Sequence, residues 1–497
     1  MEITNQKEYW EGFGQSSAED VQNLLKALQA QEGITDVANL IGVGALQPQS
    51  LEGTLALLTF QEKHLALWRD IPKGMAESTL EEYSVQLGYG QDSSGWVQQM
   101  ESALESDAEL AREYAIMKYQ RQMWKFSDVA GIVKTISPVE RVQKQAAALR
   151  CLRNMNRTLY SGDSNMISES IDGFEKTILN NGSSDHVIDL RGASPAQKNF
   201  REAAELITAN FGNVEGAGLY MSPGALTTIS QIIETNQRYA QNQLGADGNL
   251  SLGHRINVIH TDFGSITPKV DIFLAGEYDG RTVPKIASPS NPKVLVEGAT
   301  SERAPGMPSI AVTAQGATVS GSLWSDTGTR PSAKTYNFRV AAGNRFGLSK
   351  ACASANAGEN VVANGSLTIT ITPSGASNYP ATYYEIYSEQ VAGSGVFRFL
   401  ARVKDSGAGT TSYVDLNKYI PGTSRMFLLD LTSLGDLRTF MLKRLAPMHS
   451  KEYARIGEFR WGSVNLYATP QYYAPLRFVL FINVPVGVQS KSSRIDL

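Results

Sequence analysis

The sequence predicts an α+β fold with an all-β sandwich inserted into it, and three stretches carry that expectation. The first is Ser137–Ser164, SPVERVQKQAAALRCLRNMNRTLYSGDS, where Val139, Val142, Ala146, Leu149, Leu152, Met155 and Leu159 recur at three- and four-residue steps. The second lies between 305 and 420, where seven short β-rich runs are punctuated by Gly and Pro turns. The third is WGSVNLYATPQYYAPLRFVLFINV (461–484), two apolar strands around an aromatic, proline-bearing turn. A segment this apolar must pair with an earlier part of the chain, so the sandwich interrupts one discontinuous domain.

The long helix is expected to begin with Ser137 as cap and Pro138 at the first helical position. It should end at Gly162 through a left-handed residue. Such a rod is ~35 Å long at 1.5 Å per residue. It carries no acid–base pair, nucleophile or metal spacing, and its expected role is that of a girder.

At 497 residues the chain has length for about three domains and sizeable cores. Its 42% hydrophobic and 19% charged residues describe a soluble globular protein. A net charge of −4 argues against a dominant nucleic-acid-binding surface. Cys151 and Cys352 offer no disulfide framework and are expected to be reduced thiols of a cytosolic product. The start, MEITNQKEYWEGFGQ, lacks the pattern of a signal peptide. No apolar run is long enough for a membrane span.

Ahead of the long helix, Ser17 caps a short amphipathic helix with Val21, Leu24, Leu25 and Leu28 on one face. This suits an arm that packs on a neighbour. A second amphipathic pattern covers 55–71. In REYAIMKYQRQMWKF (112–126) neither side is apolar throughout, which reads as a long exposed strand within a two-stranded excursion over roughly 75–130. Exposed strands invite pairing with other chains. After the helix, HVIDLRG (186–192) reads as strand, Ser194-Pro195 opens a helix with Ala203, Ala204 and Ile207 inside, and GLYMSPGALTTISQII (218–233) reads as strand then helix. NVIHTDFGSI and KVDIFLAG (257–275) read as strands. Pro, Ser and Gly crowd the stretch from Ile286 to Ser309, which reads as a linker. From Arg425, MFLLDLTSLGDLRTFMLKRLAPM reads as strand and helix.

The seven runs of the inserted block are SIAVTAQ, ATVSGSLW, TYNFRVAAGN, SLTITITPS, TYYEIYSEQ, FRFLARV and TSYVDL. YNFRVAAGNRFGLSKA (336–351), with Trp324 upstream, resembles a fibronectin type III or related immunoglobulin-like domain. Trp324, Tyr383, Tyr384 and Tyr387 suit core and cross-strand packing better than a sugar site.

Catalytic chemistry finds little support. His254 and His260 are six apart with no third ligand nearby. Asp185-His186 has no serine or cysteine in a nucleophile-elbow context. Glu81 and Glu82 are adjacent, so on a strand they face opposite ways. There is no phosphate-binding loop. No enzyme activity, cofactor or metal is expected. Arg150, Arg153 and Arg157 line up at helical spacing, as a weak DNA-facing patch or, preferred here, a solvated face or ion pairs to neighbouring subunits.

The order of parts, with Leu159-Tyr160-Ser161-Gly162-Asp163-Ser164 ending the long helix, VIDLRGA opening an α/β region and a closing Tyr472-Tyr473-Ala474-Pro475 turn, resembles a tailed-bacteriophage major capsid protein of the Hong Kong 97-like fold. The resemblance covers nearly all of the chain outside 285–425. It implies an N-terminal arm (1–54), a peripheral domain (55–74 and 131–185) with spine helix 137–160, and an extended β loop (75–130). It also implies an axial domain (186–286), the immunoglobulin-like insertion (287–424) and a return to both domains (425–497). Hexamers and pentamers of many copies would close an icosahedral phage head around double-stranded DNA, bound without sequence specificity. Scaffolding and portal proteins are implied as partners, with decoration proteins as a further candidate and no membrane. The location would be the virion, assembled in the bacterial host cytoplasm. The candidate subunit-interface residues on the loop are Tyr114, Met117, Tyr119, Arg121 and Trp124. The alternatives are an encapsulin-like compartment shell and a glycan-binding adhesin centred on the sandwich.

Overall fold

Strands Ala217–Met221, Ser424–Asp430 and Phe478–Val484 are buried at every residue, as expected of strands covered on both faces. They form the middle of a six-stranded mixed sheet in the order 187–189, 478–484, 424–430, 217–221, 264–270, 259–261. Strand Phe478–Val484 runs parallel to Val187–Asp189 and antiparallel to Ser424–Asp430, so the C-terminal run does pair with earlier chain. Along these strands Phe427, Leu429, Phe478 and Leu480 enter one core, and Met426, Leu428, Val479 and Phe481 the other. That is the period-two alternation of a pleated strand. Helix Gln197–Ala209 covers the second core through Phe200, Ala203, Ala204 and Ile207. The first core is closed by the long helix, by the short helix Ile272–Glu277, and by Leu67 and Trp68 of helix Ala66–Asp70.

These elements belong to a computed structural model that describes residues 61–90, 96–100, 102, 107–133, 138–181, 184–236, 256–291, 294–316, 319–375, 378–407, 409–434, 437–455 and 457–486. The expected arm with its helix from Ser17, the Ser137 cap and His254 lie outside the described residues.

The long helix runs Val139–Ser161, 23 residues. Its buried stripe is Ala147, Cys151, Met155 and Leu159, flanked by Leu152, Asn156 and Tyr160. Leu152, Met155 and Leu159 of the expected face are buried, whereas Ala146 is exposed and its neighbour Ala147 is buried in its place. Pro138 is the cap residue rather than the first helical one. Gly162 ends the helix in extended backbone (φ −64°, ψ 141°), not in the left-handed region. A glycine is needed there for space: a Cβ would run into the carbonyl oxygens of Ile171 and Thr158. Gly162→Ala is therefore expected to destabilise the chain by about 1–3 kcal/mol, read as a lowered denaturation midpoint at constant slope.

A second sheet packs against the start of this helix. Its long strand Phe459–Tyr472 pairs antiparallel with Lys118–Ser127, His449–Glu452 and Phe440–Arg444, and Lys73–Met75 runs parallel beside the last. Trp124, Phe126 and Val464 bury against Ala147. The 75–130 excursion is thus shorter than expected. Residues 118–127 are body sheet, and the free two-stranded ribbon is Leu80–Gly88 with Glu109–Ile116. Two other stretches depart from the sequence reading. IFLAG is helical rather than extended, its first turn capped by the Asp271 carboxylate accepting from Phe273 N–H. The described part of 424–444 holds strands and no helix.

The inserted block folds as two facing sheets: 309–315, 366–372, 411–415, and 347–348, 338–344, 383–389, 397–404. Between them lie Trp324, Tyr336, Phe338, Ile369, Ile371, Tyr384 and Ile386. In the described part of ATVSGSLW the chain is a turn-containing loop, with Gly321 at φ +76° and Trp324 Nε1 donating to the Asp415 carbonyl. The expected linker is in part a hairpin, Lys285–Ala287 against Leu295–Glu297. The Glu297 carboxylate accepts a two-bond fork from Arg339 at 2.8 and 2.7 Å.

Candidate assembly surface

The ribbon pairs Leu80 with Ile116 through Glu82 with Tyr114 to Gly88 with Glu109, with one bulge near its tip. No residue of either strand is fully buried. Tyr83 fixes its root, packing edge-on against Tyr473 at 5.0 Å and donating to Glu113 at 2.6 Å. Beyond the root Leu87 (70% exposed) and Leu110 (72%) stand in solvent, as do Tyr114 (69%) at the root itself and Tyr89, Trp96 (92%) and Met100 past the paired strands. An isolated two-stranded ribbon is marginal in water, and a contiguous exposed apolar patch marks an interaction surface.

Of the five expected interface residues, only Tyr114 lies on the free ribbon. Met117 is buried, and Trp124 is buried with its Nε1 donating to Ser450 Oγ at 3.3 Å. Tyr119 sits edge-on to Tyr467 at 5.3 Å, and Arg121 donates to Asn465 Oδ1 at 3.0 Å. These contacts lie within the chain. Leu87, Leu110, Trp96 and Met100, which the sequence reading did not single out, are the large apolar residues exposed on and beyond the ribbon.

The three arginines expected to line up on the long helix, Arg150, Arg153 and Arg157, go to different places. Arg150 donates to the Met123 carbonyl at 3.1 Å, and Arg153 lines a cleft described below. Arg157 pairs with Glu277. Glu277 is the hub of a buried network that joins helix, body and sandwich. It accepts from Arg281 at 2.8 Å, Arg402 at 3.1 Å and Ser161 Oγ at 3.0 Å. Arg281 and Arg402 also hold Glu385 of the sandwich, at 2.6 and 3.0 Å, and Tyr387 donates to the same carboxylate at 2.7 Å. Burial alone would raise both carboxyls, but the surrounding guanidinium groups hold Glu277 and Glu385 below the ordinary carboxylate range.

A third buried carboxyl behaves in the opposite way. Asp279 accepts from Ser222 Oγ at 3.3 Å and Ser424 Oγ at 3.5 Å, and burial pushes its pKa up to about 6, with Arg398 opposing weakly. Because the folded value exceeds the ordinary 3.8, this group's contribution is fully present below pH ~4 and is lost as pH rises through about 6. Asp279→Asn is expected to flatten stability between pH 4 and 6 and to raise it at pH 7, by about 3 kcal/mol at most. Urea midpoints across that range check it.

A cleft of about 650 Å³ opens between the long helix, strand Lys118–Ser127 and the Asn344–Leu348 turn of the sandwich. Asn344 Oδ1 accepts from the N–H groups of Phe346 and Gly347, holding the turn so that Arg345 and Phe346 stand at the rim. Arg345 reaches across to Glu169 at 2.8 Å, with both side chains more than half exposed. Among the described residues no group of three or more His, Cys, Asp or Glu side chains could hold a metal ion.

No family model matches the sequence. The major capsid protein of Staphylococcus phage K is 26% identical over 244 residues, which is 48% of this chain and 50% of that protein. The putative major capsid protein of Enterococcus phage phiEF24C is 25% identical over 211 residues, 41% of this chain and 44% of that protein. The chain thus spans about half the length of the curated relatives it matches. Among solved structures, the capsid of an empty GTA particle aligns with 90% of this chain and 99% of its own, at 9% identity and TM-score 0.45. An encapsulin complex from Synechococcus elongatus covers 93% of this chain and 99% of its own, at 9% identity and TM-score 0.35. Over about half of its length the chain is similar in sequence to the major capsid protein of Staphylococcus phage K and to the putative one of Enterococcus phage phiEF24C.

Proposed function

We propose that the chain is a shell-forming structural subunit, not an enzyme, whose copies assemble into hexamers and pentamers of an icosahedral phage head around double-stranded DNA. The observation that carries this reading is the ribbon, a pair of strands with one face in solvent and no residue fully buried, tipped with the exposed Trp96 and Met100. Such an element contributes little to a monomer's core and gains a role when a second copy covers it. In this assignment the ribbon is the extended loop, Val139–Ser161 the spine of a peripheral domain, and the six-stranded sheet the centre of an axial domain. The inserted sandwich is taken as immunoglobulin-like. Weak contacts repeated around a closed lattice give a strong shell. Scaffolding and portal proteins are its assembly partners in the host cytoplasm, and the virion is its destination. Trp324 and Tyr384 are buried inside the sandwich and Tyr387 is buried beside Val283 on its other side, so none of the three is open to a glycan.

Negative-stain electron microscopy of the purified full chain, alone and with the scaffolding protein expressed beside it, tests the proposal. Closed shells or rings of five or six copies are expected. Dispersed monomers in both preparations, across salt and concentration, would sink it.

A further inference from the structure

A strand at the rim of a sheet leaves a row of N–H and C=O groups unpaired, and proteins guard such rims by shortening them, bulging them or setting charges along them. The rims of the body sheets are guarded in these ways. Lys73–Met75, Val187–Asp189 and Ile259–Thr261 are three residues long. Strand His449–Glu452 carries Lys451 and Glu452, and Lys118–Ser127 carries Lys118, Arg121 and Lys125. In the sandwich, Phe397–Lys404 carries two arginines and a lysine, and Thr411–Asp415 ends on an aspartate. Strand Ser309–Gln315 is the exception. It is the free rim of the 309–315, 366–372, 411–415 sheet, and it pairs with 366–372 through seven consecutive partners without a bulge. It holds neither a charge nor a proline. Among the described residues no backbone group pairs with its outer side.

The strand is also complementary to itself. Ile310, Val312 and Ala314 pack toward the sandwich core, whereas Ser309, Ala311, Thr313 and Gln315 are exposed. This alternation reads the same in both directions about Val312. A second copy turned end for end on that residue sets Ser309 against Gln315, Ile310 against Ala314 and Ala311 against Thr313. Inward apolar groups then meet inward apolar groups, outward small groups meet their like, and no charges oppose one another. The neighbouring strand presents Thr368, Thr370 and Thr372 on the same outer face, so the uncharged surface continues away from the rim. Self-complementarity of this kind is what a two-fold contact requires.

We infer that two copies of the chain pair edge to edge through Ser309–Gln315, antiparallel about a two-fold axis at Val312, so that two three-stranded sheets become one of six. This goes beyond the assembly reading, because the seam needs two sandwiches and not a closed shell. A seam of ~24 Å, seven residues at 3.4 Å each, holds free chains weakly and gains strength where many copies are gathered together.

Two full-length populations with different tags, one S309C and the other Q315C, are mixed at high concentration and treated with a short thiol-bridging reagent, and negative-stain images of the same samples report particles separately. Native Cys151 and Cys352 are buried and provide no competing site. The substituted positions are exposed, so the sandwich core is left intact. The expected product is a dimer carrying both tags, with same-tag dimers scarce because the register sets 309 against 315. Adding A311K to the S309C chain and T313K to the Q315C chain places two lysines directly opposite, which should cut the yield about fivefold. A311E in place of A311K should restore it. Failure to form the mixed-tag dimer would overturn the inference, and particles in those samples would leave the assembly reading standing. A yield indifferent to the lysine pair would also overturn it, since the contact would then not run through this register. Mixed-tag dimers that follow the charge pattern in samples without particles would support the seam and count against the shell.

Discussion

Replacing Glu277 with alanine is expected to destabilise the folded chain by about 3–5 kcal/mol, because it leaves buried guanidinium groups without their shared carboxylate. Arg157, Arg281 and Arg402 all converge on that side chain, which is nearly inaccessible to solvent. The loss should appear as a lowered urea midpoint for the whole body, since the network links the long helix, the Ile272–Glu277 helix and two strands of the sandwich. Acid should mimic the substitution. The carboxyl sits below its ordinary 4.5 in the folded chain, so its contribution is complete above that value and fades as pH falls toward the folded pKa. Wild type should therefore lose stability below pH ~4.5 more steeply than Glu277→Ala. A midpoint change under about 1 kcal/mol, the scale of a surface ion pair, would show that the network does not bind the insertion to the body.

Removing the outer ribbon should have the larger functional effect and almost no effect on folding. Deleting residues 85–111 and joining Ser84 to Arg112 through an Asn-Gly turn keeps the Tyr83–Tyr473 anchor and the inner ladder pairs. The deleted strand residues are at most half-buried and belong to none of the core clusters, so thermal stability should stay within about 1 kcal/mol of wild type. Assembly should be abolished. Sedimentation velocity would show a folded monomer at concentrations where the intact chain forms large species. Normal particles from the deleted chain would remove the ribbon from the account.

The sequence made some of this architecture readable and concealed the rest for identifiable reasons. The long helix was legible because its apolar residues keep helical period, and Leu152, Met155 and Leu159 are buried as that period requires, yet Ala147 is buried where Ala146 was expected. The alanines at 146–148 fit either alignment, and only packing against Trp124 and Val464 chooses Ala147. The ribbon was legible as exposed strand, but its end was not. Whether Met117 and Trp124 are covered depends on pairing with 459–472, more than 300 residues away, which no local pattern encodes. IFLAG was misread because a short apolar run fits a buried strand as well as a buried helix, and the Asp271 cap decides it. The Glu277 network was invisible for the same reason as the sheet pairing. Arg157, Glu277 and Glu385 are ordinary charged residues until the fold brings them together. Arg157 consequently reads as surface from helical spacing, although its partner is a buried glutamate.

Hydrogen–deuterium exchange of the ribbon, compared in assembled particles and in dissociated subunits, tests the central claim most directly. The edge N–H groups of 80–88 and 109–116 face solvent in a single copy, so those peptides should exchange rapidly when subunits are apart. On assembly they should slow by at least about tenfold. Unchanged exchange over 80–116 in intact particles would contradict the account, because the surface assigned to assembly would then remain uncovered in the assembled state.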